Sequence, residues 1–142
     1  MRSLLDVNVL IAMLDADHAS HRAAYAWFIE HGRDGWASCP ITQNGCVRII
    51  SHPHYPNTRS VSEVVERLRG ATIDRAHEFW PDSASLLDEK AIDTRRVHGP
   101  KQLTDVYLLA LAVKNGGRFV TFDAAISLSA VHGAKAQQLL RL

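Results

Sequence analysis

A chain of 142 residues with 46% hydrophobic and 22% charged residues has the size of one ordinary domain, roughly 100 to 200 residues, and a composition that excludes a disordered or collagen-like chain. Its 16 Lys and Arg against 15 Asp and Glu leave a formal net charge of +1, which excludes the global positive field of a histone-like nucleic-acid binder. No apolar run approaches the roughly 20 residues of a membrane span, and the N-terminus reaches Asp6 before any signal-like stretch develops, so no membrane partner, a cytoplasmic location and a single domain over residues 1–142 are expected.

The apolar pair Leu4-Leu5 runs into Asp6 and then into Val7 to Ile11, which reads as a short buried strand turning into a helix. Asp6 then stands at the carboxyl end of the strand. From Ser20 to His31, Ala23, Ala24, Trp27 and Phe28 recur at helical spacing, and Gly32 supplies the stop. Trp36 to Cys39 is the next strand candidate, with Pro40 at the first position of a helix that continues through Gln43 to Ile50. Pro53 and Pro56 make 51–58 a loop, after which Ser60 or Ser62 caps a helix that runs through Arg69 and ends at Gly70.

Glu78, Phe79 and Trp80 predict a short strand before Pro81, and 82–99 is polar and irregular. A helix starts near Thr104 and Asp105, with Val106, Leu109, Ala110 and Val113 at intervals of three and four residues, and stops at Asn115-Gly116-Gly117. The strand Arg118 to Phe122 then leads directly into Asp123, and a last strand is predicted from Ala136 to Leu140 after a turn at Gly133. Strands alternating with helices predict a parallel α/β sheet covered on both faces.

Cys39 and Cys46 fit neither a zinc-ligand spacing nor a disulfide framework and are assigned to packing. The three tryptophans, Trp27, Trp36 and Trp80, are assigned to the core rather than to base stacking. His18 with His21, and His52 with His54, lack further ligands at zinc spacing and read as surface or capping residues. Arg48, Arg59, Arg95, Arg96 and Lys101 are candidates for phosphate contacts, with an ordinary solvated surface as the alternative.

The chemistry is carried by acids. In a parallel α/β sheet ligands bind beyond the carboxyl ends of the strands, where Asp6 and Asp123 are predicted to lie, while Asp105 opens a helix. Carboxylates drawn together there repel and raise one another's pKa, and a divalent ion with a taste for hard oxygen ligands, Mg²⁺ or Mn²⁺, relieves the conflict. Each acid also has an ordinary explanation: Asp105 as a helix N-terminal acid, Asp123 as the start of a turn, Asp6 as a helix cap.

The strings Leu4-Leu5-Asp6-Val7-Asn8-Val9-Leu10, Leu103-Thr104-Asp105-Val106-Tyr107-Leu108-Leu109-Ala110-Leu111-Ala112 and Val120-Thr121-Phe122-Asp123 resemble the three acidic signatures of PIN domains, in order. With Cys39-Pro40-Ile41-Thr42-Gln43-Asn44-Gly45-Cys46-Val47-Arg48, the chain is similar over essentially its whole length to the VapC toxins of toxin–antitoxin pairs. That resemblance implies a three-layer α/β/α PIN-like domain with a central, mostly parallel sheet. It implies a Mg²⁺-dependent endoribonuclease (Mn²⁺ as substitute) that leaves 5′ phosphate and 3′ hydroxyl ends, pairs as a homodimer and is held inactive by a cognate antitoxin.

By the same resemblance Asp6 and Asp105 match the principal metal ligands and Asp123 the later acid that assists the ion or its water. Asn8 and Thr121 match supporting positions, and Arg48 and Lys101 are the RNA-contact candidates. One position departs from the pattern: Gln43 stands where the family usually has Glu. An amide keeps an acceptor oxygen but carries no charge and cannot act as a base, so one well-occupied Mg²⁺ with Gln43 orienting a water is expected. The competing readings are a catalytically weakened PIN-fold binding module and, with Asn8 where a phosphatase would want an acid, a phosphotransfer or phosphatase domain.

Overall fold

Leu4 and Leu5 are both fully buried, and because successive strand residues point to opposite faces they seed two separate cores. The computed structural model describes residues 1–142. Its strands are β1 (Ser3–Leu5), β2 (Trp36–Ser38), β3 (His77–Phe79), β4 (Arg118–Thr121) and β5 (Leu139–Arg141). They form one five-stranded sheet in the order β3-β2-β1-β4-β5, and all four pairings are parallel.

Leu4 lies opposite both Ala37 and Phe119, and these three pack on one face beneath α5 (Leu103–Lys114). Leu5, Trp36 and Val120 point the other way. They pack under α1 (Val7–Leu14), α2 (His21–His31), α3 (Pro40–Ile50) and, through Val64, α4 (Val61–Thr72). The result is the three-layer α/β/α arrangement, with helices on both faces of a wholly parallel sheet.

The periodicity in α5 understates its burial. Every residue from Val106 to Ala112 is buried, because the polar-looking 82–99 segment folds back over it. Ile92 is buried against the same core, and Ala84, Leu86 and Val97 pack on its edge. A helix covered all round loses the one-sided pattern of a surface helix. Trp27, Trp36, Trp80, Cys39 and Cys46 are all buried, with both cysteines free.

Several boundaries differ from the sequence reading. Ser60, not Ser62, caps α4, in a reciprocal pair: its hydroxyl accepts from the Glu63 N–H at 3.2 Å and its own N–H donates to the Glu63 carboxylate at 2.9 Å. Gly70 does not end that helix, which continues to Thr72, since a glycine in a last turn costs about 1 kcal/mol without forcing a stop. Gly32 follows α2 with right-handed geometry, and the chain runs through a tight 3₁₀ turn to Gly35, whose φ of 101° makes the reversal. The last strand starts at Leu139, because residues 136–138 form a 3₁₀ turn closed by Lys135 N–H donating to Gln138 Oε1 at 3.0 Å.

One close approach brings α3 against the start of α1. Gly45 of α3 faces Val7, the residue after Asp6, so closely that a Cβ there would lie 2.7 Å from Val7 Cγ2. Overpacking of this kind costs about 1–3 kcal/mol, against which alanine regains up to about 1 kcal/mol of helix propensity. Gly45→Ala is therefore expected to lower the free energy of unfolding by about 1 kcal/mol, read as an earlier urea midpoint at unchanged slope. An unchanged midpoint would show that Val7 yields freely.

Candidate metal centre

The chain builds outward from β1 to β2 and β3, then crosses to the other side of β1 for β4 and β5. Such a reversal opens a crevice at the carboxyl ends of the two strands that flank it, here β1 and β4. Asp6 is the residue after β1, and Asp123 lies two residues after β4. Asp105 sits in the first turn of α5, the helix that leads into β4.

Asp6 is 5% exposed and rigidly held. Its N–H donates to the Val120 carbonyl at 2.9 Å, one oxygen accepts from the Val7 N–H at 2.7 Å, and the other accepts from the Thr121 hydroxyl at 2.6 Å. Thr121, at 0% exposure, also accepts from the Asp123 N–H at 3.0 Å and, at a long 3.4 Å, from the Asn8 side-chain amide. Asn8 in turn accepts from the Phe122 N–H at 3.3 Å. One donor and two acceptor sites exhaust a hydroxyl, so Thr121 is the joint that ties the end of β1 to the end of β4.

Asp6, Asp105 and Asp123 each offer a carboxylate oxygen, and these three oxygens lie within 4.8 Å of one another. Asp6 is buried, Asp105 half-buried and Asp123 exposed. The crowding shows in their protonation. Burial, reinforced by the charges of Asp6 and Asp123, pushes Asp105 up to about 7. Burial also raises Asp6, with Asp123 adding to the effect and the bonds from Thr121 and Val7 opposing it. Three hard oxygens with mutual repulsion, and no nitrogen or sulfur among them, fit Mg²⁺ or Mn²⁺ and leave further octahedral positions for water or phosphate oxygens.

Gln43 is the fourth residue of α3. Its amide nitrogen donates to Ser38 Oγ at 2.9 Å, and Ser38 Oγ also meets His77 Nε2 at 2.8 Å. Sequence reading missed Ser38 and His77, which are 39 residues apart and carry no local signal. Lys101 is exposed in the turn Pro100–Gln102 that precedes α5, four residues before Asp105. Arg48 is exposed on α3, in a groove with Ile49, His52, His54 and Tyr55 that contains none of the three acids. His18 and His52 act as local caps, accepting from Ser20 N–H at 3.0 Å and from His54 N–H at 3.1 Å.

A parallel sheet with three acids gathered at its switch point defines the class. The model of the PIN domain family matches residues 3–131, and the chain belongs to that family. Within it, the chain is 57% identical over 142 residues, all of both chains, to ribonuclease VapC44 of Mycobacterium tuberculosis. It is 42% identical over 134 residues to ribonuclease VapC39 of the same organism, covering 94% of this chain and 96% of the other. A solved structure, VapBC2 from Rickettsia felis bound to a DNA fragment from its promoter, shares the fold with a TM-score of 0.59 at 14% identity, over 87% of this chain and 89% of the other.

Proposed function

We propose that this VapC-type PIN domain is a Mg²⁺-dependent endoribonuclease and the toxin of a type II toxin–antitoxin pair. The observation that carries the reading is the trio of carboxylate oxygens within 4.8 Å at the β1/β4 switch point. The names of the relatives, ribonucleases at 57% and 42% identity, support RNA as the substrate. When bound, Mg²⁺ would lower the pKa of a coordinated water and stabilise charge on the phosphoryl oxygens.

Asp6 and Asp105 would hold the ion, the first from a fixed position and the second after giving up a proton. Asp123, the most exposed of the three, positions the attacking water or receives its proton, leaving 5′ phosphate and 3′ hydroxyl ends. Asn8 and Thr121 keep Asp6 and Asp123 in register. Lys101 on the rim, and Arg48 further along α3, supply phosphate contacts that give affinity without sequence preference. The structural relative comes from a VapBC assembly. The matching partner here is a VapB-like antitoxin that inserts a segment into the acidic groove of a cytoplasmic homodimer. No helix is long and apolar enough to cross a membrane.

The test is cleavage of total RNA by the purified chain in Mg²⁺, abolished by EDTA, with the ends of the products mapped. Absence of cleavage with Mg²⁺ and Mn²⁺ alike would favour the second reading, a weakened PIN-fold binding module. That reading is favoured by one feature: the amide of Gln43 is committed to Ser38 and brings no charge to the centre.

The departure at Gln43 yields its own expected result. Titration calorimetry with Mn²⁺ gives one ion per wild-type chain, and Gln43→Glu, which adds a carboxylate to the same edge, gives a second, weaker ion. A second ion assists attack and departure together, so the variant cleaves faster by about tenfold at saturating Mn²⁺. Two tightly bound ions in the wild type would contradict this.

A further inference from the structure

Residues 123–126 carry the most exposed acid of the centre and belong to no helix or strand. Two hydrogen bonds fasten them to the rest of the chain. One is from the Asp123 N–H to Thr121 Oγ1 at 3.0 Å. The other is from the side-chain amide of Gln102 to the Ala125 carbonyl. Beyond these, only the half-buried Ile126 anchors the segment, by packing against the core.

Gln102 is engaged at both ends. Its Oε1 accepts from the His98 N–H at 3.1 Å, and its own backbone N–H donates to the Gly99 carbonyl at 3.0 Å. The residue is thereby fixed in the turn that leads into α5, three residues ahead of Asp105, while its amide reaches two residues past Asp123. It bridges the two segments that bring the second and third acids to the first. Nothing in the local sequence marks it, since its partner at Ala125 is a backbone carbonyl 23 residues away.

We infer that Gln102 is a positioning residue of the metal centre: by tying Ala125 to the turn before α5, it holds Asp123 at the distance from Asp6 and Asp105 that a shared divalent ion requires. The inference rests on the metal-centre reading above. A metal site tolerates only about 0.5 Å of play in its ligands, and a loop with one remaining hydrogen bond exceeds that readily. Loss of a group that orients a ligand without touching the ion typically costs about 10–100-fold in metal affinity.

The experiment uses the full chain and two variants. Gln102→Met keeps the side chain's length and removes both of its bonds, whereas Gln102→Glu keeps the acceptor for His98 but cannot donate to Ala125. Mn²⁺ affinity is measured by calorimetry, and backbone ¹⁵N order parameters of residues 124–127 are measured in the metal-free protein. Gln102→Met is expected to weaken Mn²⁺ binding by about tenfold. In both variants the backbone order parameters of 124–127 are expected to fall from about 0.85 to below about 0.6, as the segment moves more freely. In an Asp123→Asn background, Gln102→Met should change Mn²⁺ affinity by less than about twofold, because coupled sites are non-additive.

Unchanged affinity or unchanged order parameters in Gln102→Met overturn the inference alone. An equal loss of affinity with and without Asp123 overturns it too, since the effect would then not pass through that acid. Mn²⁺ binding that Asp6→Asn leaves intact overturns the metal-centre reading itself, and this inference with it.

Discussion

Asp6→Asn is expected to reduce the single-turnover rate of RNA cleavage by about 10³-fold or more at saturating Mg²⁺, while the protein remains folded. Asp6 is the buried member of the trio and the only one whose two oxygens are both engaged by the protein. An asparagine of the same shape keeps one acceptor oxygen for either the Val7 N–H or the Thr121 hydroxyl, and its NH₂ meets the other donor, a mismatch that costs about 1–3 kcal/mol without changing the packing. What is lost is the negative charge at the most rigid point of the centre. Charge stabilisation from a preorganised group accounts for about 10²–10³ in rate on its own, and on the proposed reading the ion would also lose its best-held ligand. Circular dichroism should match the wild type and melting should stay cooperative, which separates this outcome from simple unfolding. Cleavage within tenfold of wild type would remove Asp6 from the reaction.

The sequence carried the fold because the relevant signals are short-range. Leu4-Leu5 before Asp6, Pro40 at the start of α3, the Ser60 and Glu63 cap and the Asn115-Gly116-Gly117 stop each act within a few residues. The three acids were legible for a related reason: each sits at the end of a strand or the start of a helix, where a parallel sheet collects functional groups. Boundaries failed where a distant contact decided them. The strand at Leu139 starts late because Gln138, besides closing its turn, donates to the Gly117 carbonyl at 3.2 Å, 21 residues away. The burial of α5 on all sides depends on Ile92, whose segment reads as irregular until it is seen paired with Val131.

The same limit applies within the site. Asn8 and Thr121 match supporting positions by resemblance, and what the structure shows of them is a contact between the ends of β1 and β4, 113 residues apart. Gln43 is expected to orient a water, a role that falls to its carbonyl oxygen. The structure commits its nitrogen to Ser38, backed by His77, a bond between elements that no spacing along the chain announces. Gln102 belongs to this class as well. Side chains whose partners are backbone carbonyls or residues in other elements are invisible to pattern reading, because hydrogen-bond partners are chosen by the fold and not by residue type.

Asp105→Asn is expected to stabilise the metal-free protein while removing its response to metal. Asp105 titrates near 7 in the folded chain, raised by burial and by the charges of Asp6 and Asp123, and near 3.8 when those surroundings are gone. Between those two values the folded state holds a proton that the unfolded state has released. Stability attributable to this group therefore falls as pH rises from about 4 to about 7 and is constant above that. Each pKa unit corresponds to 1.36 kcal/mol, and screening at a half-exposed position cuts the total to about 1–2 kcal/mol at pH 8.

An asparagine carries no such penalty, so its metal-free melting temperature should exceed the wild type's by about 3–6 °C at pH 8 and by almost nothing at pH 4. Addition of Mg²⁺ raises the wild-type melting temperature, through preferential binding to the folded state, and leaves the variant's unmoved. Because the ion must displace the proton on Asp105, Mg²⁺ affinity in the wild type also strengthens from pH 6 to pH 8. A variant that melts below the wild type at pH 8 without metal would mean that Asp105 stabilises the fold by its charge, and that the three carboxylates do not repel one another as their spacing requires.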